Sequence, residues 1–430
     1  MDGGLAGWLA VLGSFVAHVQ CLGTMYTFTL FILPYQRDFN LSAGAASVPG
    51  SLATGIMLAS GPVVGRAVDR CGSRSTLFVL ALVHITGMWV VSAAYSHSIL
   101  LLGHVLAGFG MSVAPASIAT VQQHFDKRRA SATGVALAGS GAGQFVLSQL
   151  ISARMHANGP EGSDSGASAD WRAASQALCI TALLLLLPAT LLLRTRTTAA
   201  TPPADTSKFN DEEARIQRNT LRSVGCDKSV LCVFGCVLAG SFGMYVPFVY
   251  LGPFLSSAQV GLSERDSAWL VSSLGLFNIT GRVVLGVAAD RIGRLRTLRL
   301  SLTIMLASTV AYPLCSSWLS SLLLIVVPYG TFSGSFIAMP PALIAMHVMP
   351  RLPEALGTLL GFNWLAMSIG STFGPPLAGL FVDGTSFGWH AVMGCATVSL
   401  AAALFALWLT PSQHAREAAR RDPHQETHAP

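Results

Sequence analysis

Twelve stretches of this sequence are each apolar over about 20 residues or more, the length a helix needs to cross a bilayer, and most breaks between them are short. Hydrocarbon offers no partner to a backbone N–H or C=O, so repeated runs of this length leave a bundle of membrane-spanning helices as the fold. The spans are expected near Leu5–Leu33, Ala43–Val68, Ser75–Tyr95, Ile99–Gln123, Ala130–Ala153 and Arg172–Leu193. A second set follows near Val230–Ser256, Ser267–Ala289, Leu298–Cys315, Leu319–His347, Glu354–Val382 and Trp389–Leu409. Only 11% of the residues are charged and the mean hydropathy is +0.57, outside the soluble globular range. The first run is too long for a signal-peptide core and lacks a basic leader, so it is expected to stay as a membrane helix.

The spans group into two halves, residues 1–194 and 230–410, with a polar linker over 195–229 and a polar tail over 411–430. In the linker, Thr201-Pro202-Pro203 is a break, and Asn210 with Glu213 forms a capping box that predicts a short helix to about Arg222. The Gly/Ser/Asp-rich insert from Asn158 to Asp170 reads as a surface loop. Arginine and lysine concentrate in the even-numbered loops and the tail: Arg66, Arg70, Arg74, Lys127, Arg128, Arg129, the linker set, Arg291 to Arg299, Arg351 and Arg416 to Arg421. The odd-numbered loops hold Arg37, Arg154, Arg172 and Arg265. The positive-inside rule then puts both termini in the cytoplasm. The halves repeat: Asp69-Arg70-Cys71-Gly72 closes the second span, Asp290-Arg291-Ile292-Gly293 closes the eighth, and Trp171-Arg172 and Trp389-His390 open the sixth and twelfth. A duplicated six-helix chain points to a transporter whose site lies between the halves at mid-membrane.

Arg282 is the leading site candidate. It lies eight residues before Asp290, so a helix carries it about 12 Å inside the membrane edge. A charge there costs about 2.5–3.5 kcal/mol on insertion scales and usually marks a substrate or ion pathway. Asn278 is one turn away on the same face, and Gly275, a turn further, is expected to leave that face open. The competing reading is an arginine between helices satisfied by backbone carbonyls. No acid lies deep in an apolar segment to neutralise it.

Lysine occurs only at 127, 208 and 228, so the net charge of +6 is arginine at membrane edges and not a nucleic-acid footprint. The eight cysteines are scattered, and Cys232 and Cys236, one turn apart, read as packing. No paired deep carboxylates, nucleophile motif, phosphate loop or metal-ligand spacing occurs, so neither an enzyme nor a cofactor nor a metal is expected.

The paired Asp-Arg-x-Gly sequences resemble the short-loop signature of the major facilitator superfamily. Phe125-Asp126-Lys127-Arg128-Arg129 with Ala132-Thr133-Gly134 and Ala138-Gly139-Ser140 is similar to the fifth-helix signature of its monocarboxylate transporters. Asp2-Gly3-Gly4 with Trp8, Ala355-Leu356-Gly357 and Gly374-Pro375-Pro376-Leu377-Ala378-Gly379 support that likeness, which covers the membrane portion but not the linker, tail or insert. It implies an all-α membrane protein of twelve transmembrane helices in two six-helix pseudo-repeats, the major facilitator fold. It further implies gating latches at Asp69 with Arg70 and at Asp290 with Arg291, and a substrate carboxylate paired with Arg282. Tyr26, Tyr245 and Asn363 fall on helices that line the cavity of that fold. The chain departs from the family where an aspartate would precede Arg282, which is Asn278, and where a first-helix lysine would stand, which is Tyr26. These departures argue against lactate-type proton symport. The anion then moves without an obligatory proton, or His18, mid-way along the first span, supplies a proton site. The glycines from Gly134 to Gly143 leave one face of the fifth span smooth, suited to sliding or to static packing.

The expectation is therefore a secondary transporter moving a small organic monoanion, such as lactate or pyruvate, by alternating access. A carrier of another small solute, or a membrane sensor on a carrier fold, stays open beside it. The expected partners are the anion and the lipid bilayer, with no nucleic acid, and an accessory single-span membrane protein is left open. The plasma membrane is the default location, since no organelle address is readable.

Overall fold

The computed structural model describes residues 3–125, 129–155, 170–193, 227–257, 260–348, 356–384 and 388–410. The expected linker helix, the insert as far as residue 169, the tail and residues 126–128 of the fifth-helix motif lie outside these residues. So do the side chains of Asp69 and Asp290.

Among the described residues, eleven helices are long and apolar enough to cross a membrane, and the pair Ala43–Ala59 and Gly61–Val68, bent by 47°, makes a twelfth span. The first span, Gly4–Tyr26, continues through a 3-10 turn at Phe28–Phe31 into a short helix, Ile32–Phe39. The bend in the second span falls at Ser60, just before Gly61 and Pro62, where proline removes a backbone donor. The fourth span, His97–His124, joins its two helical segments through Met111 and Ser112. The Ser60 and Ser112 hydroxyls bond to each other, tying the two joints together. The second, fourth, sixth and eighth spans each open with a side-chain cap: Ser42, Ser96, Asp170 and Ser263 accept from the amides of Ala45, Ile99, Ala173 and Asp266. Such a cap satisfies a helix N-terminal donor that has no intrahelical partner.

The repeated Asp-Arg-x-Gly sequences do the same work twice. Gly72 ends the second span at φ 81° and Gly293 ends the eighth at φ 95°, each donating its amide to the carbonyl four residues back, Val68 and Ala289. Positive φ is open to glycine without a Cβ clash, so the chain reverses there and the next span starts at once, at Ser73 and at Arg294.

Within each half the spans pack side by side, and two helix pairs make the main contacts between the halves: the second span with the eleventh, and the fifth with the eighth. Exchanging the halves maps one pair onto the other, as a duplicated architecture requires. Each interface brings two glycines together. A Cβ on Gly379 would lie 2.5 Å from Gly44 Cα, and one on Gly141 would lie 2.5 Å from the Gly275 carbonyl oxygen. Gly275 is thus filled by the fifth span, not open as the sequence suggests, because its missing side chain is what lets the two backbones meet. The smooth face of the fifth span divides its work. Gly139 and Gly143 fit against the first span, and Gly141 against the eighth.

The end opposite the termini, called here the far end, is shut. The Gly252 amide donates to Thr29 Oγ1 at 2.9 Å, and the Tyr250 hydroxyl lies 2.9 Å from the Pro375 carbonyl and 3.3 Å from that of Ala43. Gln149 donates to Ser272 at 2.7 Å, and Arg37 and Glu264 pair at 3.6 Å. Toward the termini, by contrast, Gly65, Gly134, Gly286 and Gly361 have open space where a Cβ would stand.

Candidate functional site

Arg282 sits in the eighth span, Glu264–Ile292, between the halves. Helical side chains lean toward their own N-terminus, so Arg282 reaches toward the far end while Tyr26, on the oppositely directed first span, reaches back to meet it. The arginine stem lies against the tenth span, where Gly334 leaves room for it: a Cβ there would be 2.7 Å from Arg282 Cγ. The guanidinium then crosses to the other half. One terminal nitrogen donates to the Leu137 carbonyl at 3.1 Å and to Ser140 Oγ at 2.9 Å, both on the fifth span. The other lies 3.5 Å from the Tyr26 hydroxyl, longer than an ordinary N–H···O bond. Nε is buried without a partner. Every one of these partners is neutral, so the charge keeps its need for an anion. The reading in which backbone carbonyls satisfy the arginine is realised in part, through Leu137.

Tyr26 and Tyr245 stand beside this group. Tyr26 is buried and its ring contacts Phe248 at 5.1 Å between centroids, while Tyr245, also buried, is within electrostatic reach of both Tyr26 and Arg282. Phe248 in turn meets Tyr329 at 6.1 Å, and the Tyr329 hydroxyl donates to the Met244 carbonyl at 2.7 Å. Asn278 points at the tenth span: its amide donates to Ser333 at 2.9 Å and its Oδ1 is buried without a partner. Asn363 is buried in the eleventh span, its Oδ1 also unpartnered, and shares no bond with the arginine cluster among the described residues.

His18 is buried against the fifth span, where a Cβ on Gly139 would lie 3.1 Å from its own. Its Nδ1 donates to the Ser14 carbonyl at 2.8 Å, which assigns the tautomer, and the ring is within electrostatic reach of Arg282. Arg70 and Arg291 are exposed at the termini end, and Arg291 follows Arg282 by nine residues, about 13 Å along the same helix.

Ser140, Phe248, Tyr329 and Gly334 belong to the site without having been singled out for it in the sequence. Ser140 had a signal, since it stands in the Ala138-Gly139-Ser140 motif of the fifth span. The others had none, because a phenylalanine or glycine in an apolar span reads as packing until its neighbours across the bundle are known.

A family profile described as "Major Facilitator Superfamily" matches residues 13–351 and 233–429. The chain is 27% identical over 399 residues to the "Fujikurins efflux protein" of Gibberella fujikuroi, covering 90% of this chain and 78% of that one. It is 26% identical over 457 residues to "Monocarboxylate transporter 14" of Homo sapiens, covering 89% and 86%. In structure it is similar to the xylose transporter XylE from E. coli in a partially occluded inward-open conformation, with a TM-score of 0.68 at 16% identity over 95% of this chain and 98% of that one.

Proposed function

The chain belongs to the major facilitator superfamily and is a secondary transporter, and from that premise we propose that its substrate is a small organic monoanion whose carboxylate pairs with Arg282. The carrying observation is a fixed positive charge between the halves whose partners, Leu137, Ser140 and Tyr26, are all neutral. An arginine fork suits a carboxylate better than any neutral partner does. Similarity to a monocarboxylate transporter supports the same class of substrate.

Transport follows by alternating access. The far end is closed by backbone and side-chain bonds between the halves, so substrate reaches Arg282 from the termini end. We take that end as cytoplasmic, on the arginine and lysine asymmetry, and the plasma membrane as the location. Rocking of the halves about the second–eleventh and fifth–eighth contacts would open the far end and shut the other. In that motion Asp69 with Arg70, and Asp290 with Arg291, act as latches at the termini end.

The test is uptake of labelled monocarboxylates into proteoliposomes. Arg282→Lys keeps the charge and loses the planar fork, so uptake should fall sharply while the protein still inserts and folds. Undiminished uptake by Arg282→Ala would defeat the reading.

A further inference from the structure

Resting on the carboxylate reading above, we infer that the substrate carries a flat apolar group, an aromatic or conjugated monocarboxylate, and that Tyr26 and Phe248 set this preference. Tyr26 is the link. Its hydroxyl is the group 3.5 Å from Arg282, and its ring lies on Phe248 at 5.1 Å and an interplanar angle of 34°. Tyr26 belongs to the first half and Phe248 to the second, so this ring contact spans the seam along which an alternating-access carrier must pass its cargo. The aromatic surface continues from Phe248 to Tyr329, whose hydroxyl is turned away onto the Met244 carbonyl, leaving ring surface toward Phe248.

The polar side of this arrangement is narrow. Arg282 provides the charge, Ser140 and Tyr26 flank it with hydroxyls, and the next groups in line from Tyr26 are rings. A short hydroxy acid bound at the arginine turns its polar end toward apolar surface. A ring or conjugated chain instead gains offset or edge contacts with Tyr26 and Phe248. An aromatic wall would also suit an organic cation, but a fixed arginine beside it repels one.

The experiment is equilibrium binding of labelled benzoate and labelled propionate to the detergent-solubilised full chain, with Arg282→Ala, Phe248→Leu and Tyr26→Leu beside the wild type. Benzoate should bind about tenfold more tightly than propionate, of the order one or two ring contacts supply. The benzoate-to-propionate ratio should fall severalfold in Phe248→Leu or Tyr26→Leu and persist in Phe248→Tyr. Thermal unfolding identifies any variant that does not fold, and the other leucine variant then carries the test. A wild-type ratio at or below one, or a ratio unmoved by both leucine changes, overturns the aromatic preference and leaves the carboxylate reading standing. Benzoate binding that survives Arg282→Ala unchanged, or no binding of either acid, overturns both.

Discussion

Arg282 and Ser140 lie 2.9 Å apart across the seam, one on each half of the molecule. The bond ties the Arg282 charge to the opposite half, and on the carboxylate reading proposed above a substrate anion competes with it. A hydrogen bond to a charged group is worth about 1.5–3 kcal/mol, so removing the competitor has a measurable effect. In Ser140→Ala, carboxylate binding should tighten by about tenfold while turnover falls, because the unloaded arginine loses its partner for the return step. Equilibrium affinity and initial uptake rates separate the two effects. Weaker binding with unchanged turnover would mean that Ser140 is a ligand for the substrate and not its rival.

Gly334 should matter through the arginine it accommodates. A methyl group there would stand 2.7 Å from Arg282 Cγ and 3.0 Å from the Asn278 carbonyl oxygen. The stem can turn aside, but the guanidinium then leaves the position on the seam where a substrate carboxylate would meet it. Gly334→Ala should lower affinity about tenfold, on the scale of one charged hydrogen bond, with thermal stability little changed. Wild-type affinity in this variant would show that the stem relaxes without moving its head group.

The sequence makes the architecture legible because its signals are local. Span length follows from bilayer thickness, and the two turns follow from glycines that must adopt positive φ, as Gly72 and Gly293 do. Arg282 is legible for a related reason: a charge in an apolar run is costly wherever the run folds. What surrounds it is not legible. Leu137 contributes a backbone carbonyl, which no sequence marks, and Gly334 contributes an absence of side chain. Gly275 and Gly141 meet only because two distant spans cross there, so a smooth helix face in the sequence identifies neither its partner nor which half the partner belongs to.

Tyr250 should control the far-end closure. Its hydroxyl sits between the Pro375 carbonyl at 2.9 Å and the Ala43 carbonyl at 3.3 Å, so it bridges to the second span beside the Gly44–Gly379 contact. The Pro375 bond lies within one half and only the Ala43 contact crosses the seam, so Tyr250→Phe removes about 0.5 kcal/mol of closure, a factor of about two in the shut-to-open ratio. Paired spin labels at Asn40 and Ser263, exposed at the far end of each half, should report a larger share of long distances in the variant. An identical distance distribution would place the closure energy elsewhere, in the glycine contacts.

Asp69 and Asp290 should govern switching and not affinity. Both close spans at the termini end, just before the glycine turns, and Asp290 lies about 12 Å beyond Arg282 along its helix. A carboxylate there is suited to a helix N-terminus or an arginine of the facing half. Asp69→Asn should slow exchange severalfold with substrate affinity held. A large loss of equilibrium affinity at a normal exchange rate would contradict a latch.

Proton coupling should be absent or weak. The groups around Arg282 are Leu137, Ser140 and Tyr26, with Asn278 one turn away. None exchanges a proton at neutral pH: an amide and a serine do not titrate there, and tyrosine's reference value is about 10. Among the described residues within electrostatic reach of the arginine, Tyr245 is another tyrosine, and His18 has its Nδ1 engaged with the Ser14 carbonyl of its own helix. An imposed pH gradient should therefore change the rate of anion uptake into proteoliposomes modestly without driving accumulation, and a proton ionophore should have little effect. Uphill, ionophore-sensitive accumulation that vanishes in His18→Ala would assign the coupling to that histidine. The same accumulation surviving in His18→Ala would require a proton carrier outside this cluster, or one that the substrate brings itself.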